Sequence, residues 1–332
     1  MSKGILELIH ILFFVFGYFY LLISRKKDSK SSLIVGLFIT VPILLSFGLR
    51  DFSVGTDTSL YLRIYDSLID NQITFNFIGE YGIYFLFKLI SLLGFPNFIA
   101  LLIVSAINIL LMVRISKYLS GFNILIYFLI SLSSFAFIDS QINLMKFGIA
   151  SNLIILSYYS KRKKLLYLFL AINFHLSMLF LLIAYVFSKK IKLSIIYKIY
   201  ISSLLFSFVL FKSQLFIKMT SFILNILDLN VFITRISSVG IKFQYSMVIY
   251  STLLVFTGYL FHLKTELFKI FILLSSFFVL INFIPYSYRV GYLSWILIPI
   301  VFSNYGDISR KKIIVFTTIN FIVSVFFVKS FN

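Results

Sequence analysis

Long apolar runs separated by short basic clusters recur from one end of the chain to the other. That alternation constrains the fold more than any single motif. Runs of about 18 or more apolar residues are long enough to cross a hydrocarbon core as helices. In all, 61% of the 332 residues are hydrophobic and the mean hydropathy is +1.04, with 42 Phe and 21 Tyr. Soluble domains carry less apolar content and about twice the charge density. The reading is an all-α, polytopic integral membrane protein forming a single transmembrane domain over residues 1–332, with no soluble domain. The formal charge of +19 does not point to nucleic acid, because most Lys and Arg sit between apolar runs, as the positive-inside rule requires. Cysteine is absent, which excludes disulfides and thiolate chemistry. The first apolar run has no small-residue cleavage site and reads as a retained helix.

The basic clusters set the topology. They are Arg25 to Lys27, Arg114 with Lys117, Lys161 to Lys164, Lys189 to Lys192, Lys264 with Lys269, and Arg310 to Lys312. Placing each in the cytoplasm predicts spans at 4–24, 31–49, 97–113, 120–138, 146–160, 194–211, 246–262, 268–284, 291–304 and 313–328. Residues 81–94 are too short to cross comfortably. Residues 165–188 are bounded by basic clusters at both ends, which predicts a hairpin of two short helices with Asn173, Phe174 and His175 at its tip. The count is about 10–12 membrane helices. Glu7, inside the first span, is expected to face protein or a cavity. His10 and His262 read as structural.

On this map residues 50–95, 139–145, 173–176, 212–245 and 285–290 open to the outside. Four of the chain's 11 acids, Asp51, Asp57, Asp66 and Asp70, crowd into one short outer stretch, and Glu80 and Asp139 join them on that face. Arg50, Arg63, Lys146, Arg235, Lys242 and Arg289 break the positive-inside pattern there. One reason is that loops need polar residues to stay wet; the other is function. Both long outer loops carry an amphipathic helix. From Thr58, Leu60, Tyr61, Ile64, Tyr65 and Leu68 form a stripe opposite Arg63, Asp66 and Asp70, as in a helix lying on the membrane surface. Residues 212–230 repeat the pattern.

Several of these residues fall into an ordered set. It runs Arg50, then Gly55, Thr56, Asp57 and Tyr61; Glu80, Tyr81 and Gly82; Gln141, Asn143, Lys146 and Ala150; Ala171, Phe174, His175 and Ser177; and finally Arg289 and Tyr292. In order and rough spacing, over residues 48–292, this resembles the EpsG family of bacterial polysaccharide polymerases, a branch of the Wzy-type enzymes. Lys146 stands where that family pattern leads one to expect an Arg-Gln pair. The resemblance implies a GT-C-like helical bundle in the bacterial inner membrane. It implies an enzyme joining oligosaccharide repeat units carried on undecaprenyl diphosphate, as in O-antigen synthesis, with its active site facing the periplasm. A partner that sets chain length is implied as well. A flippase for lipid-linked glycan, a ligase and an acyltransferase are the alternatives. A transporter would show paired repeats and midplane charges; this chain shows no repeat, and its polar residues gather at the outer edge.

Such a reaction needs a leaving diphosphate neutralised, a hydroxyl deprotonated, and sugars held beside a lipid. Arg binds phosphate oxygens through paired hydrogen bonds, so Arg50 and Arg289 are assigned to diphosphate, with Lys146 and Arg235 as weaker candidates. Arg50 also fits a pairing with Asp51 or Asp57, and Arg289 a snorkelling interface residue. Asp57, Glu80 and His175 are candidate bases. Asp57 also fits an N-cap, Glu80 a partner of a helix dipole, and His175 a structural hydrogen-bonding residue. Tyr61, Gln141 and Tyr292 complete the substrate-binding candidates. No ligand spacing reads as a metal site, and no phosphate loop appears, so no cofactor is expected.

Overall fold

A computed structural model describes residues 2–23, 28–51, 53–54, 57–69, 81–213, 243–283, 287–303 and 310–330. Among these residues every regular element is a helix, and the protein is an all-α polytopic membrane protein. In chain order the helices are α1 (Lys3–Ile23), α2 (Ser29–Gly48), α3 (Thr58–Ile69), α4 (Tyr81–Leu92), α5 (Asn97–Ser116), α6 (Phe122–Ser133), α7 (Phe135–Ile142) and α8 (Met145–Tyr159). They continue as α9 (Lys164–Phe174), α10 (Met178–Lys190), α11 (Leu193–Ser213), α12 (Tyr245–Leu260), α13 (Glu266–Ile281), α14 (Tyr288–Trp295), α15 (Ile298–Ser303) and α16 (Arg310–Ser330). Among the described residues, α1, α2, α5 and Leu193–Phe211 of α11 are each long and apolar enough to cross a membrane alone, and α6 and α7, bent by 70° at their junction, are so only when taken together.

The bend changes how that stretch ends. The span expected at 120–138 breaks at Ser134, whose backbone is extended (φ −91°, ψ 118°). Helix α7 then runs on to Ile142, so the loop expected over 139–145 shrinks to Asn143 and Leu144. The span expected at 291–304 is divided between α14 and α15. Helix α9 ends at Phe174 and α10 begins at Met178, so the predicted interruption of 165–188 is present, with His175 in extended backbone.

Contacts group the helices into two compact units, Met1–Leu179 with Ile298–Asn332, and Phe180–Leu297. The first is built around α6, all of whose residues from Ile124 to Ser133 are buried, with α1, α2, α15 and α16 packed against it. Helix α8 is buried from Phe147 to Ser157 and leans on α5, where Asn152 donates to Asn108 at 3.0 Å. Glu7 is half-buried and pairs with Lys3 one turn earlier, at 3.9 Å. In the second unit α11 and α14 pack on α13. The ammonium of Lys269 reaches the carbonyls of Ser188 (3.4 Å) and Ile191 (3.2 Å) at the end of α10, as a cation near a helix C-terminus should. His262 ends α12 with φ +54°, a left-handed stop more often given to Gly or Asn.

Helix α3 forms with the length expected and packs on α4 and α5. Its buried face is Thr58, Tyr61, Leu62, Tyr65 and Leu68, while Leu60 is exposed. Tyr65 donates to the Phe95 carbonyl, and Lys88 of α4 donates to the Leu68 carbonyl at 2.9 Å, fixing the C-terminal half of the helix.

Candidate functional site

Arg50 follows directly on α2 and is buried, with 3% of its surface exposed. Its guanidinium spreads over three elements. Nε donates to Thr58 Oγ1 (2.9 Å) at the start of α3, Nη1 to the Phe47 carbonyl (2.6 Å) at the end of α2, and Nη2 to the Ile142 carbonyl (2.8 Å) at the end of α7. Nη2 also lies 3.6 Å from the sulfur of Met145, the first residue of α8. The Thr58 hydroxyl passes its own proton to the Val54 carbonyl at 2.7 Å. None of these partners is a carboxylate, and Arg50 pairs with neither Asp51 nor Asp57 among the described residues. Asp51 instead accepts the N–H and hydroxyl of Ser53, which hold its carboxyl below the usual range. Burial lowers Arg50 from its ordinary value to about 10, with the nearby Tyr61 opposing. It therefore stays charged at neutral pH, at a cost of about 3 kcal/mol.

The α7–α8 turn supplies the next group. Asn143 donates to the Asp139 carboxylate one turn before it, and the backbone N–H groups of Asn143 and Leu144 close on the Asp139 carbonyl. Gln141 is buried; its Nε2 donates to Ser140 Oγ at 3.2 Å, and its Oε1 has no hydrogen-bond partner among the described residues. Lys146 is half-buried on the first turn of α8. A Cβ at Gly148 would stand 2.7 Å from the Ser140 carbonyl oxygen and 3.0 Å from Gln141 Nε2. Only glycine admits so close an approach of α8 to α7.

From α8 the contacts lead to the end of α9. The His175 ring meets Phe147 edge-on at 5.3 Å. The Ser177 backbone N–H donates to His175 Nδ1 (3.3 Å), and the Ser177 hydroxyl lies 2.7 Å from the same nitrogen. A backbone N–H can only donate, so Nδ1 is the acceptor and the neutral ring carries its proton on Nε2. His175 thus offers a donor, which suits an anion better than it suits proton abstraction. Phe174 lies face-on to α4, where a Cβ at Gly82 would stand 2.7 Å from its ring. On the far side of α4, Phe87 makes edge contacts with Tyr61 (6.4 Å) and Tyr65 (5.7 Å) of α3. Tyr61 is 3% exposed and its N–H bonds to the carbonyl of Asp57, which occupies the N-cap position of α3.

The described parts of the first four sequence elements therefore meet at one end of the first unit: Arg50, Asp57 and Tyr61; Tyr81 and Gly82; Gln141 and Lys146; Phe174, His175 and Ser177. Glu80, Arg235, Gly55, Thr56 and the helix expected through 214–230 lie outside the described residues. The last element belongs to the second unit. There Arg289 is exposed on the first turn of α14. Tyr292 is fully buried between Tyr288 (5.9 Å) and Trp295 (5.6 Å). Sequence reasoning gave no role to Thr58 or Ser177. The available signals were a hydroxyl at the first position of α3 and a serine two residues after a histidine at a helix end.

A family model described as the EpsG family matches residues 33–332. The chain belongs to the EpsG family. No curated protein and no solved structure matches it significantly. The match takes in all five elements, so the residues gathered at the end of the first unit are those of an EpsG-family membrane protein.

Proposed function

We propose that this EpsG-family protein is a glycosyltransferase that lengthens a polysaccharide of the O-antigen type. It would join repeat units carried on undecaprenyl diphosphate, in the bacterial inner membrane and from the periplasmic side. The observation that carries the reading is Arg50, a buried cation with no carboxylate among its described partners, surrounded by the family's other polar residues. A buried, unpaired charge is expensive, and an anion drawn to it would return the cost.

In the reaction a sugar hydroxyl of the incoming unit attacks the anomeric carbon at the lipid end of the growing chain. A C–O bond forms as the bond to the diphosphate breaks. The hydroxyl proton passes to a carboxylate base, for which Asp57 and Glu80 are the candidates, and lipid diphosphate leaves with its charge. Arg50 supplies positive potential at the leaving group and Lys146 adds to it. His175, protonated on Nε2, donates a hydrogen bond to the same anion. Such fixed donors cost no reorganisation at the moment of reaction. Tyr61 and Gln141 are assigned to holding the glycan in place. A protein that sets chain length would act alongside.

The test is the glycan made by cells lacking the protein. Single repeat units without long chains are the expected result, restored by the wild-type chain and not by Arg50→Ala. Loss of every repeat unit would make the protein a flippase. Long chains left unattached to their final acceptor would make it a ligase, and chains of unchanged length an acyltransferase.

A further inference from the structure

The break between α6 and α7 follows a predominantly apolar helix and contains neither Pro nor Gly. A broken helix at membrane depth persists only where neighbours satisfy the freed backbone groups. Here three carbonyls at the end of α6 are met in this way. The Ile130 carbonyl accepts the Ser133 hydroxyl at 3.1 Å, and the Ser131 carbonyl accepts the Ser134 N–H at 3.2 Å. The Leu132 carbonyl lies 2.7 Å from Nε2 of His10, on α1, 122 residues away. A carbonyl only accepts, so His10 Nε2 carries the proton. From the other side Asn320 of α16, 2% exposed, donates to Ser133 Oγ at 3.0 Å. Phe47 and Phe321 flank the His10 ring edge-on at 6.5 and 5.7 Å. Two distant helices thus send polar side chains to a single point, the end of α6.

The break has a downstream consequence. The 70° turn at Ser134 sets the direction of α7, and α7 ends at Ile142, whose carbonyl holds Arg50 Nη2. Its last turn also carries Asp139 and Gln141 and seats α8 through Gly148. A straight helix through residue 134 would carry Ile142 away from Arg50.

We infer that His10 is a positioning residue of the polymerase site: its Nε2–H, with Asn320 in support, holds the α6–α7 break and so aims the α7–α8 turn at Arg50. The consequence for chain extension rests on the function proposed above; the placement of α7 does not. A displacement of about 1 Å at a reacting centre can lower a rate about 10²-fold.

The chain has no cysteine, so Leu144→Cys gives a single, clean label at the α7–α8 turn. Its rate of reaction with a membrane-impermeant maleimide is measured in intact cells beside wild-type His10, His10→Gln and His10→Leu. Chain length is measured in the same three backgrounds with Leu144 intact and at matched membrane abundance. Gln keeps an N–H donor and is expected to match the wild type in both readouts. Leu is expected to change labelling several-fold and to lose long chains. Asn320→Leu is expected to move labelling in the same direction, and it carries the test if His10→Leu does not accumulate. Unchanged labelling in His10→Leu, or His10→Gln as damaged as His10→Leu, would overturn the inference. Labelling that follows the donor in a protein whose loss leaves chain length untouched would uphold the positioning of α7 and defeat the polymerase reading.

Discussion

Two Arg–Tyr pairs in this protein look alike in sequence and differ in structure. Arg50 and Tyr61 lie in the first unit, Arg289 and Tyr292 in the second, and each arginine breaks the positive-inside pattern of the topology expected from the sequence. Arg50 is buried and ties together the ends of α2 and α7 and the start of α3. Arg289 is exposed on the first turn of α14. With the tyrosines, Tyr61 packs edge-on to Phe87 beneath the polar cluster, whereas Tyr292 belongs to an aromatic core with Tyr288 and Trp295. The lesson is that an arginine out of place in the topology signals a strong constraint only once its burial is known.

Substitutions can break or sharpen this contrast. The largest effect is expected at Arg50. Arg50→Ala should abolish long chains and lower membrane abundance, and Arg50→Lys should restore neither, because one ammonium cannot serve three acceptors spread across a planar fork. Normal chain length in Arg50→Lys would reduce the site to a point charge. Tyr292→Ala should come next, destabilising the second unit by about 3–5 kcal/mol, as large aromatic truncations do, and it is read as lost abundance or earlier thermal aggregation in detergent. If Tyr292→Phe keeps its abundance and loses chain extension, the hydroxyl acts on substrate and the contrast with Tyr61 narrows. Gly148→Ala should cost about 1–3 kcal/mol by forcing α8 off the Ser140 carbonyl, and should shorten chains while the protein remains in the membrane. The smallest change in stability is expected for Arg289→Ala, within about 0.5 kcal/mol as for surface substitutions. A large loss of chain extension there, at unchanged abundance, would assign Arg289 to the substrate.

The membrane class, the spans of α1, α2, α5 and α11, and the interruption of 165–188 were legible in the sequence, because each follows from apolar length and the placement of Lys and Arg. So was an amphipathic helix from Thr58, although its buried stripe, packed on α4 and α5, includes Leu62 and leaves out Leu60. The break at Ser134 left no local mark. Its cause lies 122 residues away in His10 and on α16 in Asn320, and no window along the chain sees both. The partners of Arg50 were hidden for a related reason. Sequence invites pairing a cation with the nearest acids, Asp51 and Asp57, while the fold offered a hydroxyl and two carbonyls. The tautomer of His175 depends on one backbone N–H at Ser177, which only the turn geometry reveals.

Two of the three oxygens that hold Arg50 belong to the main chain, at Phe47 and Ile142. Any amino acid at those positions would present the same atoms, so the anchor tolerates drift in the side chains around it while helices α2 and α7 keep their lengths. An insertion or deletion of one residue in either helix would swing its final carbonyl by about 100° and undo what many point substitutions leave intact. Engineering of this protein should therefore treat helix length, rather than side-chain identity, as the quantity to protect there.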